Sequence, residues 1–130
     1  YVSMEERLLF ASGSFVVGSK GEEAIKKIAK LLENNQDVNV MIEGHTDNVT
    51  YNGKGEIKDN WDLSVMRATT IVKIIVANSK VDPIRLTAAG RAQFSPLDNS
   101  NTKEGRSKNR RTEVILTPKL DELFKIIETN

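Results

Sequence analysis

Two stretches of polar residues contain the side chains most capable of chemistry. Gly44-His45-Thr46-Asp47-Asn48 follows an alternating apolar segment, and Asn60-Trp61-Asp62-Leu63-Ser64 opens a helical pattern that includes Arg67. Arg67 lies about two turns after Asn60 on one helical face, and long helical side chains lean toward the N-terminus. We therefore expect its guanidinium to reach the loop that carries Asp47. A carboxylate, a guanidinium and the N–H groups of a helix start could together hold a zwitterion.

Other interpretations of these polar residues compete with ligand binding. From spacing alone, Asp47 and Arg67 more often form an ion pair with a purely structural role. His45 beside Asp47 suggests a metal, but tetrahedral sites need three or four ligands, and the chain has no second histidine and no cysteine. Hydrolysis by His45 and Asp47 would need a nucleophile, and no serine is paired with a histidine in a familiar motif. We expect no metal, no cofactor and no enzymatic activity.

A basic segment, residues 106–111, precedes the last expected strand and could contact phosphates. Its basic residues are Arg106, Lys108, Arg110 and Arg111. Glu104 and Glu113 offset this charge, and few aromatic residues that could stack on a base, such as Phe94, lie near the segment in sequence. We therefore expect a solvated segment and no nucleic-acid binding. A nucleic-acid-binding or protein-interaction module remains the alternative function.

Length and composition indicate one globular domain. At 130 residues the chain is long enough for one core, and its 38% hydrophobic and 28% charged residues are ordinary. No apolar run approaches the roughly eighteen residues of a membrane span. With 19 Lys plus Arg against 18 Asp plus Glu, any electrostatic recognition must be local. Because the chain begins at Tyr1, we interpret it as part of a longer protein, whose missing N-terminal region would provide any membrane contact.

Apolar periodicity predicts the elements that position the polar residues. Ser19 and Glu22 suggest a capping box at the start of a helix over about residues 19–34. A second helix, capped by Asn60, is expected to run to about Asn78. Strands are expected at residues 8–11, 38–44, 84–90 and 112–117, with a short helix near residues 103–109.

This order predicts an α/β (α+β) two-layer sandwich, in which a mixed sheet of about four strands is packed by two main helices in βαβαβ order. Thr117-Pro118 is an N-cap followed by proline in the first helical position. An apolar stripe at helical spacing follows, formed by Leu120, Leu123, Phe124 and Ile127. We therefore divide the chain into a domain of residues 1–117 and an amphipathic C-terminal helix, residues 118–130, packed on it or extending it. The sequence leaves open whether this helix forms a homodimer.

At the same residues the sequence resembles the OmpA-like family of peptidoglycan-binding domains, over roughly residues 10–116. Three segments carry the resemblance in the family's order: residues 42–48 with Gly44-His45-Thr46-Asp47, residues 60–68 with Asn60, Leu63, Ser64 and Arg67, and residues 105–114 with Asn109-Arg110-Arg111. Trp61, the lengthened loop before it and the opening at residues 9–14 are more similar to the stator-type, MotB-like branch than to the porin branch.

The resemblance implies a non-enzymatic anchor in the periplasm that ties a larger outer- or inner-membrane protein to the cell wall. Its implied ligand is the diaminopimelate residue of the peptidoglycan stem peptide, with Asp47 pairing with the ammonium and Arg67 with a carboxylate. Thr46 and Asn60 would add hydrogen bonds, and Arg110 would be a second contact or a brace for the loop. The loop between Asp47 and Asn60 is longer than in compact members, so the shape of the rim does not follow from the resemblance.

Overall fold

Strands and helices alternate along the chain. The computed structural model describes residues 2–5, 9–10, 13–51, 53, 55–118 and 127. The elements are β1 (Val2–Glu5), α1 (Ser19–Glu33), β2 (Val38–His45), α2 (Asn60–Asn78), β3 (Leu86–Gly90), α3 (Lys103–Asn109) and β4 (Arg111–Pro118). A turn of 3-10 helix, Pro83–Arg85, leads into β3. None of the described helices combines the length and the apolar character that a membrane crossing requires.

The strands form one mixed sheet in the order β1-β4-β2-β3. β2 and β3 are parallel and are joined by α2, the kind of crossover that parallel strands need. β4 is antiparallel to both of its neighbours, because it returns along the sheet after a loop and the short α3. The predicted two-layer fold, with its mixed sheet and two main helices, is confirmed.

The core lies between α1, α2 and one face of the sheet. Its most deeply buried members include Ile25 and Ala29 of α1, Ile71 and Ile75 of α2, and Val40 and Ile42 of β2. Each large apolar side chain buried in this way contributes about 1.5–3 kcal/mol. Because successive strand residues point to opposite faces, the residues that alternate with Val40 and Ile42 lie on the other face of the sheet.

The helices begin differently from the predicted caps. α1 follows Gly18 without a side-chain cap, so the capping box at Ser19 does not form; Ser19 is already in the first helical turn. α2 is capped by Asp59, whose side chain accepts a hydrogen bond from a backbone N–H of the first turn, and not by Asn60. The Asn60 side chain is therefore available elsewhere, and its Nδ2 donates to the Val49 carbonyl at 3.0 Å.

Two strand predictions differ from the structure where it describes them. Residues 8 and 11 of the expected strand at residues 8–11 lie outside the described residues; Leu9 is helical and Phe10 makes an isolated antiparallel bridge with Val17, so β1 is the first strand that the structure describes. Ile84 belongs to the 3-10 turn instead of β3 and is 87% exposed. The Asp82 side chain caps that turn through the Ile84 N–H, so a local turn overrides the alternation that suggested a strand.

β4 continues further than predicted. It runs through Pro118, which pairs with Val38, so Thr117 does not cap a helix. Proline fits there because the register of β1 covers only residues 111–114, which leaves Pro118 beyond the paired part of that side of β4. Residues 119–126 and 128–130 of the expected C-terminal helix lie outside the described residues. The division of the chain at residue 117 stays a prediction.

A close contact between β2 and α2 fixes the position of both polar stretches. A Cβ atom at Gly44 would clash with the Ser64 backbone carbonyl of α2. The Ser64 hydroxyl accepts a hydrogen bond from the Ala92 N–H at 3.1 Å and so ties α2 to the loop after β3. The loop that begins at Thr46 is therefore held against the start of α2.

We predict that Gly44→Ala destabilises the domain by about 1–3 kcal/mol, because the added methyl group must displace the backbone of α2. The free energy of unfolding from urea denaturation measures this loss. Gly18→Ser is the matched control, since no atom lies within 4 Å of a Cβ there and serine is at least as good an N-cap as glycine. Equal stability of the two variants would contradict the close contact.

Candidate functional site

A cavity of about 660 Å³ opens where the loop after β2, the start of α2 and the end of α3 meet. This volume falls within the range of about 300–1,000 Å³ that is typical of ligand pockets. The predicted site residues all line it: Thr46, Asp47, Asn60, Arg67 and Arg110. Phe10, Tyr51 and Arg106 are among the further lining residues. The structure thus brings the predicted residues together, and their role toward a ligand stays a prediction.

Asp47 is held at two points. Its Oδ2 accepts a hydrogen bond from Arg110 Nη1 at 2.6 Å, and its Oδ1 accepts one from the Val49 backbone N–H at 3.0 Å. The side chain of Asp47 is 11% exposed and that of Arg110 is 33% exposed. A carboxylate offers about four acceptor positions, so Asp47 can accept further hydrogen bonds from a ligand in this fixed orientation.

Arg67 is positioned by the segment that precedes α1. Its Nε donates to the Ser14 carbonyl at 2.8 Å, and its guanidinium carbon lies 5.0 Å from the centre of the Phe10 ring, within range of a cation–π interaction. The residue is 3% exposed and lines the same cavity as Asp47. Sequence reasoning missed Phe10 and Ser14, because Ser14 lies 53 residues from Arg67 and no local pattern links them.

Thr46 and Asn60 fix the loop that forms one wall of the cavity. The Thr46 hydroxyl donates to the Asp47 carbonyl at 3.0 Å, and its backbone N–H donates to the Ala92 carbonyl at 2.9 Å. Ala92 has a φ of 50°, a left-handed conformation that its N–H contact with Ser64 helps to hold. With Asn60 bonded to the Val49 carbonyl, the first residues of this loop are attached to the loop after β3 and to the start of α2.

The basic segment is not the solvated face that the sequence predicted. Arg111 is 4% exposed, Arg110 is paired with Asp47, and Arg106 lines the cavity. Only Lys108, at 65% side-chain exposure, behaves as expected. Because β4 begins between them, Arg110 reaches Asp47 whereas Arg111 pairs with Glu113. The segment therefore does not form a continuous basic surface, which removes the observation that favoured nucleic-acid binding.

A buried charged cluster lies on the sheet beside the cavity. Register places Glu43 opposite Glu113 and His45 opposite Arg111. His45 Nε2 lies 2.7 Å from Glu43 Oε1 and 3.7 Å from Glu113 Oε2, while Arg111 Nε donates to Glu113 Oε1 at 2.8 Å. All of these residues are less than 10% exposed. The cluster links β2 to β4, and two of its members adjoin lining residues in sequence: His45 precedes Thr46, and Arg111 follows Arg110.

This cluster bears on two of the sequence-based alternatives, a metal site and a hydrolase. Glu43, His45 and Glu113 each offer one ligand atom, and these atoms lie within 4.8 Å of one another, a set that sequence reasoning did not foresee. Arg111 already neutralises Glu113, so a cation there would compete with a buried guanidinium. His45 contacts the cluster, whereas Asp47 faces the cavity; among the described residues they do not form the catalytic pair that a hydrolase would need.

Burial lowers the pKa of His45 below its ordinary value of about 6.5, and the nearby Arg111 lowers it further. Glu43 and Glu113 act in the opposite direction. The Nδ1 atom of His45 is buried and has no hydrogen-bond partner within the part of the chain that the structure describes. Protonation would place an N–H there without an acceptor, which agrees with a neutral imidazole in the folded state.

We predict that the free energy of unfolding falls as the pH drops below about 6.5, because the unfolded chain then binds a proton that folded His45 resists. The contribution is fully present above that pH and is lost as the pH falls toward the lowered pKa of the folded state. Urea denaturation at about pH 7.5 and about pH 5.5 measures it. His45→Gln is a clean control, since the chain has one histidine; an equal pH dependence in both proteins would refute the prediction.

Known proteins are similar to this chain in sequence. Residues 9–110 match the model of the OmpA family. The chain is 36% identical over 118 residues to motility protein B of Bacillus subtilis, covering 91% of this chain and 45% of that protein. It is 34% identical over 116 residues to outer membrane protein Omp38 of Acinetobacter baumannii, covering 89% and 31%. The chain thus spans less than half the length of these relatives.

Solved structures show the same fold. A MotB like protein from Desulfovibrio vulgaris superposes with a TM-score of 0.83 at 27% identity, covering 90% of this chain and 74% of that one. The cell wall anchor of the T6SS from Pseudomonas aeruginosa superposes with a TM-score of 0.80 at 30% identity, covering 90% and 80%. Each of these similarities covers 90% of this chain.

Proposed function

This chain belongs to the OmpA family, and from that membership we propose that it binds peptidoglycan through the diaminopimelate residue of the stem peptide. It would thereby anchor a larger envelope protein to the cell wall, on the periplasmic side of a membrane. Support comes from the similarity to a T6SS cell wall anchor and to envelope proteins such as Omp38 and motility protein B. The domain would act by binding alone, without turnover.

The observation that carries this proposal is that Asp47 and Arg67 line one cavity. The side chain of diaminopimelate ends in a carbon that bears both an ammonium and a carboxylate. Asp47 would accept hydrogen bonds from the ammonium, and the planar guanidinium of Arg67 suits a carboxylate. A lysine stem peptide has the ammonium but lacks that carboxylate. The site would therefore distinguish walls built on diaminopimelate from walls built on lysine.

Arg110 would act as a brace for Asp47. The 2.6 Å ion pair holds the Asp47 carboxylate in place before the ligand arrives, so the ligand ammonium would share Asp47 with Arg110. Ion pairs at partly exposed positions contribute about 0.2–1 kcal/mol each. We therefore expect a dissociation constant of roughly micromolar to millimolar for one soluble stem peptide, with firm attachment arising from many domains on one polymer.

We predict that the domain binds a stem peptide containing meso-diaminopimelate and not its lysine counterpart, and that Asp47→Asn abolishes binding of the diaminopimelate peptide. Asn keeps the shape of the side chain but removes the charge that attracts the ammonium. Backbone amide NMR shifts at Thr46, Asn60 and Arg67 would report binding at the cavity.

Asp37→Asn is the matched control, because it removes the same charge from an exposed position between α1 and β2. This variant should bind like the wild type. Absence of shifts with either peptide at about millimolar concentration would rule out the proposed function, since that is the weakest affinity expected. Equal shifts with both peptides would leave wall binding in place but exclude recognition of diaminopimelate.

A further inference from the structure

The described lining of the cavity carries more positive than negative charge. Asp47 is the one carboxylate among the lining residues that the structure describes, whereas Arg67, Arg106 and Arg110 are guanidinium groups. The end of diaminopimelate has one ammonium and one carboxylate, so it brings no net charge into the cavity. Electrostatic complementarity therefore favours a ligand with a further anionic group.

Arg106 is a guanidinium at this cavity whose hydrogen-bond partners carry no charge. It lies one helical turn before Arg110, whose N–H donates to the Arg106 carbonyl at 3.1 Å. Side chains spaced in this way are neighbours, and like charges there destabilise a helix. Arg110 is paired with Asp47, but the partners of Arg106 in the described residues are neutral: the carbonyl and side-chain oxygens of Asn101, at 3.2 and 3.1 Å.

The same contacts hold Arg106 at the rim of the cavity. Asn101 Oδ1, which accepts from Arg106 Nη1, also accepts from Asn48 Nδ2 at 3.2 Å, so Arg106 is linked to the residue next to Asp47. Both of its bonds to Asn101 use Nη1. A guanidinium has five N–H donors in a planar fork, so the Nε and Nη2 edge suits a carboxylate.

We propose that Arg106 binds a second carboxylate of the stem peptide, the free α-carboxylate of the γ-linked glutamate that precedes diaminopimelate. This inference rests on the proposed function and adds to it a residue that determines specificity. In stem peptides whose glutamate is amidated, a neutral carboxamide replaces the carboxylate and cannot pair with the guanidinium charge. The cavity would then favour non-amidated over amidated peptidoglycan.

Two synthetic tetrapeptides test this proposal: L-alanyl-γ-D-glutamyl-meso-diaminopimelyl-D-alanine and the same peptide with the glutamate α-carboxylate amidated. We expect the wild-type domain to bind the free acid roughly 3- to 10-fold more tightly, as measured by NMR titration. Arg106→Gln should bring this ratio to about 1 by removing the charge. Lys108→Gln, which removes the same charge from an exposed position on the same helix, should leave the ratio unchanged.

Each outcome discriminates between the proposals. Equal wild-type affinity for the two tetrapeptides, with binding still dependent on Asp47, would overturn the role of Arg106 and leave the proposed function standing. An unchanged ratio in Arg106→Gln would overturn it as well. Failure of both peptides to bind the wild type would overturn the proposed function itself. The wild-type comparison needs no variant. If Arg106→Gln does not fold, Arg106→Lys replaces it, and we expect that variant to retain part of the preference for the free acid.

Discussion

The close approach of α2 to the ends of β2 and β3 determines how the segments that carry Asp47 and Arg67 lie relative to each other. A Cβ at Gly44 would meet the Ser64 carbonyl, and a Cβ at Gly90 would meet the Ser64 hydroxyl and Val65. Glycine at both positions lets the helix pack directly on the two parallel strands. Since the loop with Asp47 begins just beyond Gly44, this contact sets the distance between that loop and α2. A wider gap would separate the charges that the cavity brings together.

Neighbouring arginines in this fold have opposite roles because a strand starts between them. Arg110 ends α3 and reaches Asp47 at the cavity, whereas Arg111 begins β4 and joins the buried cluster with Glu113. Removing charges from water is costly unless they are paired and hydrogen bonded, and Arg111 also donates to the carbonyls of Asn109 and Ser95. The buried cluster thus fixes the β2–β4 register, and that register in turn directs Arg110 toward Asp47.

Sequence patterns predicted the elements with strong periodicity and could not predict contacts between distant segments. α1 and α2 followed from apolar spacing, the short α3 lies where a helix was expected, and the motif residues were expected to converge because they follow the ends of neighbouring elements. The cap of α2 was misassigned by one residue, since Asp59 and Asn60 are both good N-caps. The burial of Arg111 depends on its strand partner, and the support of Arg67 by Phe10 depends on a contact between residues far apart in the sequence. Neither is encoded in local spacing.

Preorganised charges explain how such a cavity could anchor a polymer without strong single contacts. Asp47 and Arg67 are already held by Arg110 and Ser14, so little side-chain entropy would be lost when a ligand binds. The same hydrogen bonds limit the free energy gained on binding, because a ligand ammonium at Asp47 would share the carboxylate with Arg110. It would not meet an unpaired charge. Each contact would therefore be selective but weak. On a wall that presents many identical stems, weak and selective contacts release one at a time while the assembly as a whole stays attached.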